Sequence, residues 1–189
     1  MPTSADNDRA LLDAALGGDE RAARELVHRH AGRVHAFALR VLRDAGTAEE
    51  TVQDVFEQLF RSGSGLRHDS SLSTWLHSVA LNRCRDTLRR KSFRVAMDVQ
   101  PLTDDMRDHR SDPHLELVRR DREAGLQCAL ETLPADMREV IALRFASGLS
   151  YDEIATVLGC ATGTVASKLH RALARLGAQL RSAGFAEDL

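Results

Sequence analysis

Cysteine is scarce. Cys84, Cys128 and Cys160 stand far apart and are odd in number, which argues against both a disulfide framework and a zinc site. Aromatic residues fill only 4% of the 189 positions, whereas alanine, leucine, arginine and glutamate are abundant, a balance that favours helices over sheets. No apolar run is long enough to cross a bilayer, so no membrane insertion is expected. The N-terminal stretch MPTSADNDRALLDAALGGDE lacks the basic-then-apolar order of a signal peptide, which sets the expectation of a soluble, cytoplasmic protein. His28, His30 and His35 come without a carboxylate-supported ligand set, so packing or surface roles are expected of them and no metal or cofactor is implied. With a formal net charge of −2, the information lies in how charge is distributed along the chain.

Two further absences are local. No Asp or Glu occurs between Glu153 and Glu187. At the start of that stretch, Ser150 and Glu153 have the spacing of a reciprocal capping box, Ile154, Ala155 and Leu158 give a short apolar face, and Gly159 can stop the helix at positive φ. A second helix is expected from about Thr162, a residue type that caps free amides. At 100° per residue Val165, Leu169, Ala172, Leu173 and Leu176 share one side. Ser167 and Arg171 lie opposite, flanked by Thr164, His170 and Ala174, with Lys168 and Arg175 towards one edge. Short helix, glycine turn and a helix with a small, polar and basic outer face is a helix-turn-helix pattern. The competing reading, an αα-hairpin in an all-helical core, leaves the missing acidic residues unexplained.

The other local absence is of basic residues between Arg43 and Arg61. Thr47 and Glu50 read as a capping box, and Val52, Val55, Phe56, Leu59 and Phe60 as the apolar stripe of the helix that follows. Glu49, Glu50, Gln53, Asp54, Glu57 and Gln58 face outward, either as a plain solvated face or as a docking surface for a basic partner. Before this helix, residues 8–17 and 19–43 read as two helices around Gly17-Gly18. After it, the glycine- and serine-rich stretch 61–71 reads as a loop. A helix from about Ser73 then ends in Arg83, Arg85, Arg89, Arg90, Lys91 and Arg94 against Asp86 alone. That is more cation than a helix C-terminus uses, and a phosphate surface accounts for the excess.

Residues 95–120 lose periodicity, contain Pro101 and Pro113, and are rich in carboxylates, so they read as an acidic, extended linker or a simple solubilising tether. Beyond it, Leu126, Ala129, Leu130 and Leu133 mark a helix, Pro134 suits the first turn of the next, and Val140, Ile141, Leu143 and Phe145 are expected in its core. The fold expected is all-α, with two small helical domains at 1–94 and 121–189.

In this order and spacing, TAEETVQDVFEQLF at 47–60, LSTWLHSVALNRCRDTLRR at 72–90, LETLPADMREVIALRF at 130–145 and GLSYDEIATVLGCATGTVASKLHRALARL at 148–176 resemble a bacterial sigma factor. The resemblance is to the small extracytoplasmic-function group, which keeps only the domains σ2 and σ4. It implies a non-enzymatic initiation factor that binds core RNA polymerase, recognises −10 and −35 promoter elements and promotes melting. Gln53, Asp54 and Glu57 map to the surface that docks on the β′ clamp helices, and the β flap is the second polymerase contact implied. His68, Asp69, Ser70, Ser71 and Asn82 map to recognition of the non-template −10 strand, with Arg85 and Arg89 on phosphates. Thr164, Ser167, His170 and Arg171 map near −35 base edges in the major groove, with Lys168 on phosphate. The linker maps to the polymerase active-site and RNA-exit channels. An anti-sigma factor is an implied partner. Ala166 departs from the pattern, standing where many relatives carry a basic residue. With no extension after the last helix, no appended regulatory domain is expected.

Two other classes compete. A polymerase-independent regulator of duplex DNA needs a dimerisation helix or ligand pocket, and neither is visible. An enzyme could be built on His77 and Cys84, seven residues apart on one helix, but no orienting group or oxyanion element accompanies them.

Overall fold

The computed structural model describes residues 4–62, 71–95 and 125–183. Every regular element among them is helical: α1 (Ser4–Leu16), α2 (Glu20–Leu42), α3 (Ala45–Ser62), α4 (Leu72–Val95), α5 (125–131), α6 (Ala135–Ile141) running into π winding over Ala142–Ala146, α7 (Tyr151–Leu158) and α8 (Thr162–Ser182). The stretch read as a linker lies outside the described residues apart from Val95, as do His68, Asp69 and Ser70.

Local chemistry sets the N-terminal module. The break between α1 and α2 falls at Gly18, whose φ of 98° suits glycine. Asp19 then caps α2, accepting from the amides of Arg21 (2.8 Å) and Ala22 (3.2 Å). Leu26, Val34, Phe37 and Val41 recur along the buried face of α2 and meet Val55, Phe56 and Leu59 of α3 in one core. The start of α3 differs from the capping box expected at Thr47 and Glu50. Asp44 is the capping side chain, accepting from the Thr47 amide at 2.7 Å and from the Thr47 hydroxyl. These bonds, the hydroxyl's foremost, hold the Asp44 carboxyl below its ordinary pKa.

Helix α4 packs against α2 and α3 and also against α7. Leu76, Val79, Ala80, Leu81 and Cys84 are therefore all buried. Ser71, one residue before the helix, bonds the Thr74 amide at 3.2 Å and so acts as its cap.

His77, also on α4, is 1% exposed and meets Phe37 edge-on at 5.8 Å. Its Nδ1–H donates to the Ser73 carbonyl (2.8 Å), leaving Nε2 without a partner among the described residues. Burial, only partly offset by the Ser73 bond, lowers the His77 pKa from 6.5. A depressed histidine contributes stability above its unfolded value and loses it as pH falls towards the folded value. Denaturant unfolding should therefore show stability falling as pH drops below 6.5, and the slope should flatten in His77→Gln. Equal slopes for both proteins would assign the acid sensitivity elsewhere.

In the C-terminal module, Leu133, Val140, Ile141 and Leu143 are buried, but Phe145 is 62% exposed. Phe145 was expected in the core on a 3.6-residue period, which no longer applies where the helix widens to π winding. Leu173, also expected inside, is 42% exposed. On α8, Val165, Leu169 and Ala172 are buried and Leu176 packs against the same core, so Leu173 falls at the edge of the buried stripe.

Candidate nucleic-acid interface

The helix-turn-helix is built from short-range bonds. Ser150 caps α7, its hydroxyl accepting from the Glu153 amide (3.3 Å) while the Glu153 carboxylate accepts from the Ser150 amide (2.9 Å) and hydroxyl (2.8 Å). Burial would raise the Glu153 pKa, but the bonds from Ser150, joined by one from the Ser71 hydroxyl (3.3 Å), outweigh it and hold the carboxyl low. Gly159 ends α7 at φ 63°, as its position in the sequence requires. Thr162 is not the cap of α8: Ala161 holds that position without a side-chain bond. The Thr162 hydroxyl instead donates to Asp152 of α7 at 2.8 Å, tying the start of α8 to the preceding helix. Arg144 adds a brace, donating to the Leu149 carbonyl (2.8 Å) and lying over the Tyr151 ring at 5.4 Å.

Thr164, Ser167, His170 and Arg171 are all exposed on one side of α8. The helix carries no carboxylate. The Ser167 hydroxyl is turned back onto the Gly163 carbonyl (2.9 Å), and Arg171 Nε lies along the helix against the Ser167 carbonyl (3.2 Å). Lys168 is half-buried at the edge of this face and pairs with Asp136 of α6 at 3.1 Å.

On α4, Asn82, Arg85 and Arg89 are exposed in one row. Arg89 pairs with its neighbour Asp86 (3.1 Å). Arg85 is committed differently: Nε and Nη2 donate to the two carboxylate oxygens of Glu139 on α6, at 2.9 and 2.7 Å. These bonds raise the Arg85 pKa. Of the remaining residues mapped to this strand surface, Ser71 joins α4 to Glu153 of α7.

Gln53, Asp54 and Glu57 are exposed along α3. Arg83 of α4 reaches this face, lying 3.8 Å from Asp54 and 3.4 Å from the Gln58 side-chain carbonyl. Glu57 meets Arg61 at 3.5 Å.

Sequence reasoning assigned no role to Glu139, Asp136 or Arg144. One signal for Glu139 is present: three and four residues on stand Ala142 and Leu143, both buried, so an acid sits on an apolar helical face. The pairing of His77 with Cys84 yields no catalytic site. Cys84 is fully buried, which pushes its thiol up to about 12 and keeps it protonated at neutral pH. The three histidines of α2 do not converge either, since His28 is exposed and His30 is buried against Asp8 at 2.8 Å.

The chain matches the family model for Sigma-70 region 2 over residues 26–94 and that for Sigma-70 region 4 over residues 124–176. It is 31% identical to the RNA polymerase sigma-H factor of Pseudomonas aeruginosa, over 88% of this chain and 90% of that protein. With the ECF sigma factor SigE of Mycolicibacterium smegmatis it shares 35% identity over 90% of this chain and 66% of the relative. The ECF sigma-E factor of Escherichia coli K12 is 30% identical, with 87% and 90% covered. Among solved structures, CnrH in complex with the cytosolic domain of CnrY superposes with a TM-score of 0.69 at 28% identity, covering 93% of this chain and 97% of that one. The sigma factor RpoE of Bartonella quintana, solved with the anti-sigma factor NepR, gives a TM-score of 0.62 at 28% identity, covering 78% and 89%.

Proposed function

Because the chain belongs to the extracytoplasmic-function sigma factors, which recognise promoters to initiate transcription, we propose that its residues divide the work as follows. Residues 1–94 form the module that docks on core polymerase and holds the −10 strand, and residues 121–189 the module that reads −35. Gln53, Asp54 and Glu57 meet basic groups on the β′ clamp helices, and the C-terminal module meets the β flap. His68, Asp69, Ser70, Ser71 and Asn82 contact the unstacked −10 strand, while Arg85 and Arg89 hold its phosphates. Single-strand capture suits this task, because unstacked bases expose their full edges and trapping them stabilises the melted duplex. At −35, Thr164, Ser167, His170 and Arg171 face base edges and Lys168 a phosphate.

The observation that carries this reading is the outer face of α8, polar, basic and free of carboxylates, set at the end of a tightly braced helix-turn-helix. An anti-sigma factor is proposed as a regulatory partner, since the two solved relatives above were each captured with another protein, NepR being an anti-sigma factor by name. The test is transcription with purified core polymerase on promoters mapped in the source cell. Transcripts that require both core and this chain are expected. Duplex binding without transcripts would turn the reading to a polymerase-independent regulator.

A further inference from the structure

The first turn of α8 has little of its own to hold it. Ala161 opens the helix without a side-chain cap, and Ala161, Thr162, Gly163 and Thr164 are all exposed, Val165 being the first residue of α8 to enter the core. Gly163 weakens the turn further, since glycine is a poor helix former. Support comes from α7, where Asp152 Oδ1 accepts from Thr162 Oγ1 at 2.8 Å. Asp152 is itself fixed. It stands in the first turn of α7, beside the Ser150–Glu153 box, and its backbone carbonyl accepts from the Thr156 hydroxyl at 3.0 Å. Its carboxylate therefore serves the N-terminal ends of two helices, where free amides favour negative charge. From the turn it holds, bonds run on along the outer face of α8. The Ser167 hydroxyl donates to the Gly163 carbonyl (2.9 Å), and Arg171 Nε donates to the Ser167 carbonyl (3.2 Å).

We propose that Asp152 is a positioning residue for −35 recognition: through Thr162 it sets the first turn of α8, and so places Thr164 and Ser167 against the bases. The proposal rests on the reading of α8 as the −35 helix. A threonine hydroxyl is attached directly to Cβ, so its bond to Asp152 fixes backbone. The contact of Asp136 with Lys168 differs, because it ends on a flexible four-carbon stem and leaves the helix free to shift. Further along α8 the core takes over. Val165, Leu169 and Ala172 are buried and anchor the middle of the helix, where His170 and Arg171 stand, without help from Asp152. Thr164 and Ser167 have short side chains, which reach a base edge only when their backbone is held close to it. A small shift of the first turn therefore costs these two their contacts and leaves the long Arg171 its own. Asp152 determines specificity through the helix it holds.

Binding of the full chain, with core polymerase, to promoters carrying single-base −35 substitutions tests this role. Thr162→Val and Asp152→Ala should each cut discrimination by about threefold or more, at positions other than those that Arg171→Ala flattens. The double variant should lose no more than either single one, because both remove the same bond. Thr162→Ser keeps the hydroxyl and Asp152→Asn keeps an acceptor, so both should retain the wild-type order of preference. A second measurement needs no DNA. Thr164 and Val165 donate their amides to the Ala161 carbonyl (2.9 and 3.3 Å), and hydrogen exchange at both should be about threefold faster or more in Asp152→Ala. Wild-type discrimination in Thr162→Val and Asp152→Ala, a uniform loss that keeps the order of preference, additive losses in the double variant, or unchanged exchange each overturns the role of Asp152. If the wild-type protein binds every −35 substitution equally, the −35 reading of α8 falls and this role falls with it. A discriminating wild type with equally discriminating variants removes Asp152 alone.

Discussion

Asp54→Arg combined with Glu57→Arg should weaken binding to core polymerase by about tenfold or more while the fold survives. A tenfold loss is ~1.4 kcal/mol, and reversing charges that meet opposite charges at close range changes binding by more than this. Both carboxylates are available for such a contact, their side chains being 51% and 66% exposed on α3. Survival of the fold follows from what the substitutions cost internally. Asp54 gives up a loose pair with Arg83 at 3.8 Å and Glu57 one with Arg61 at 3.5 Å, and exposed pairs of this kind contribute about 0–1 kcal/mol. The buried stripe of Val55, Phe56 and Leu59 is untouched. A titration of labelled core polymerase, with the reversal Glu20→Arg on α2 as a control for net charge, separates a docking surface from a solvated face. Affinity equal to wild type would remove α3 from the polymerase interface.

How legible these features were depended on how far each one's cause lay along the chain. The stripe on α3 was plain because one side of that helix packs and the other does not. The Ser150–Glu153 box and Gly159 were plain because capping is settled within four residues. Where two local solutions compete, sequence alone chose wrongly: Asp44 and Thr47 can each cap a residue three further on, and the chain uses Asp44. Helix α4 was harder still. It buries residues towards α2 and α3 and again towards α7, which blurs the single apolar face that periodicity detects. Phe145 and Leu173 failed for a related reason, since burial also requires a neighbour, and among the described residues none covers Phe145 on the π turn or Leu173 at the edge of the α8 stripe. The least legible feature is the partner of Arg85. It lies 54 residues away, and only the odd position of Glu139 on an apolar face hints at it.

Arg171→Ala should flatten the base preference at one or two −35 positions. The planar fork of arginine can take guanine O6 and N7 together, a contact worth about 1–3 kcal/mol of discrimination. The structure puts Arg171 on the exposed side of α8, opposite the buried Val165 and Leu169, with Nε lying on the Ser167 carbonyl at 3.2 Å. That bond is local and solvated, so the side chain can swing off it towards a base. Lys168 starts from a different position, half-buried and held at 3.1 Å by Asp136. Lys168→Ala should weaken all sequences about equally and reduce the salt slope by about one unit, as loss of one phosphate contact does. Asp136→Asn adds a test that the sequence did not offer. Releasing the lysine from its internal carboxylate should strengthen binding to every sequence and leave the order of preference unchanged. Binding of the three variants to a panel of single-base −35 substitutions, at two salt concentrations, decides between these outcomes. If Arg171→Ala loses affinity uniformly and keeps the wild-type order, Arg171 touches a phosphate, and α8 lies in the groove rotated from the orientation assigned to it.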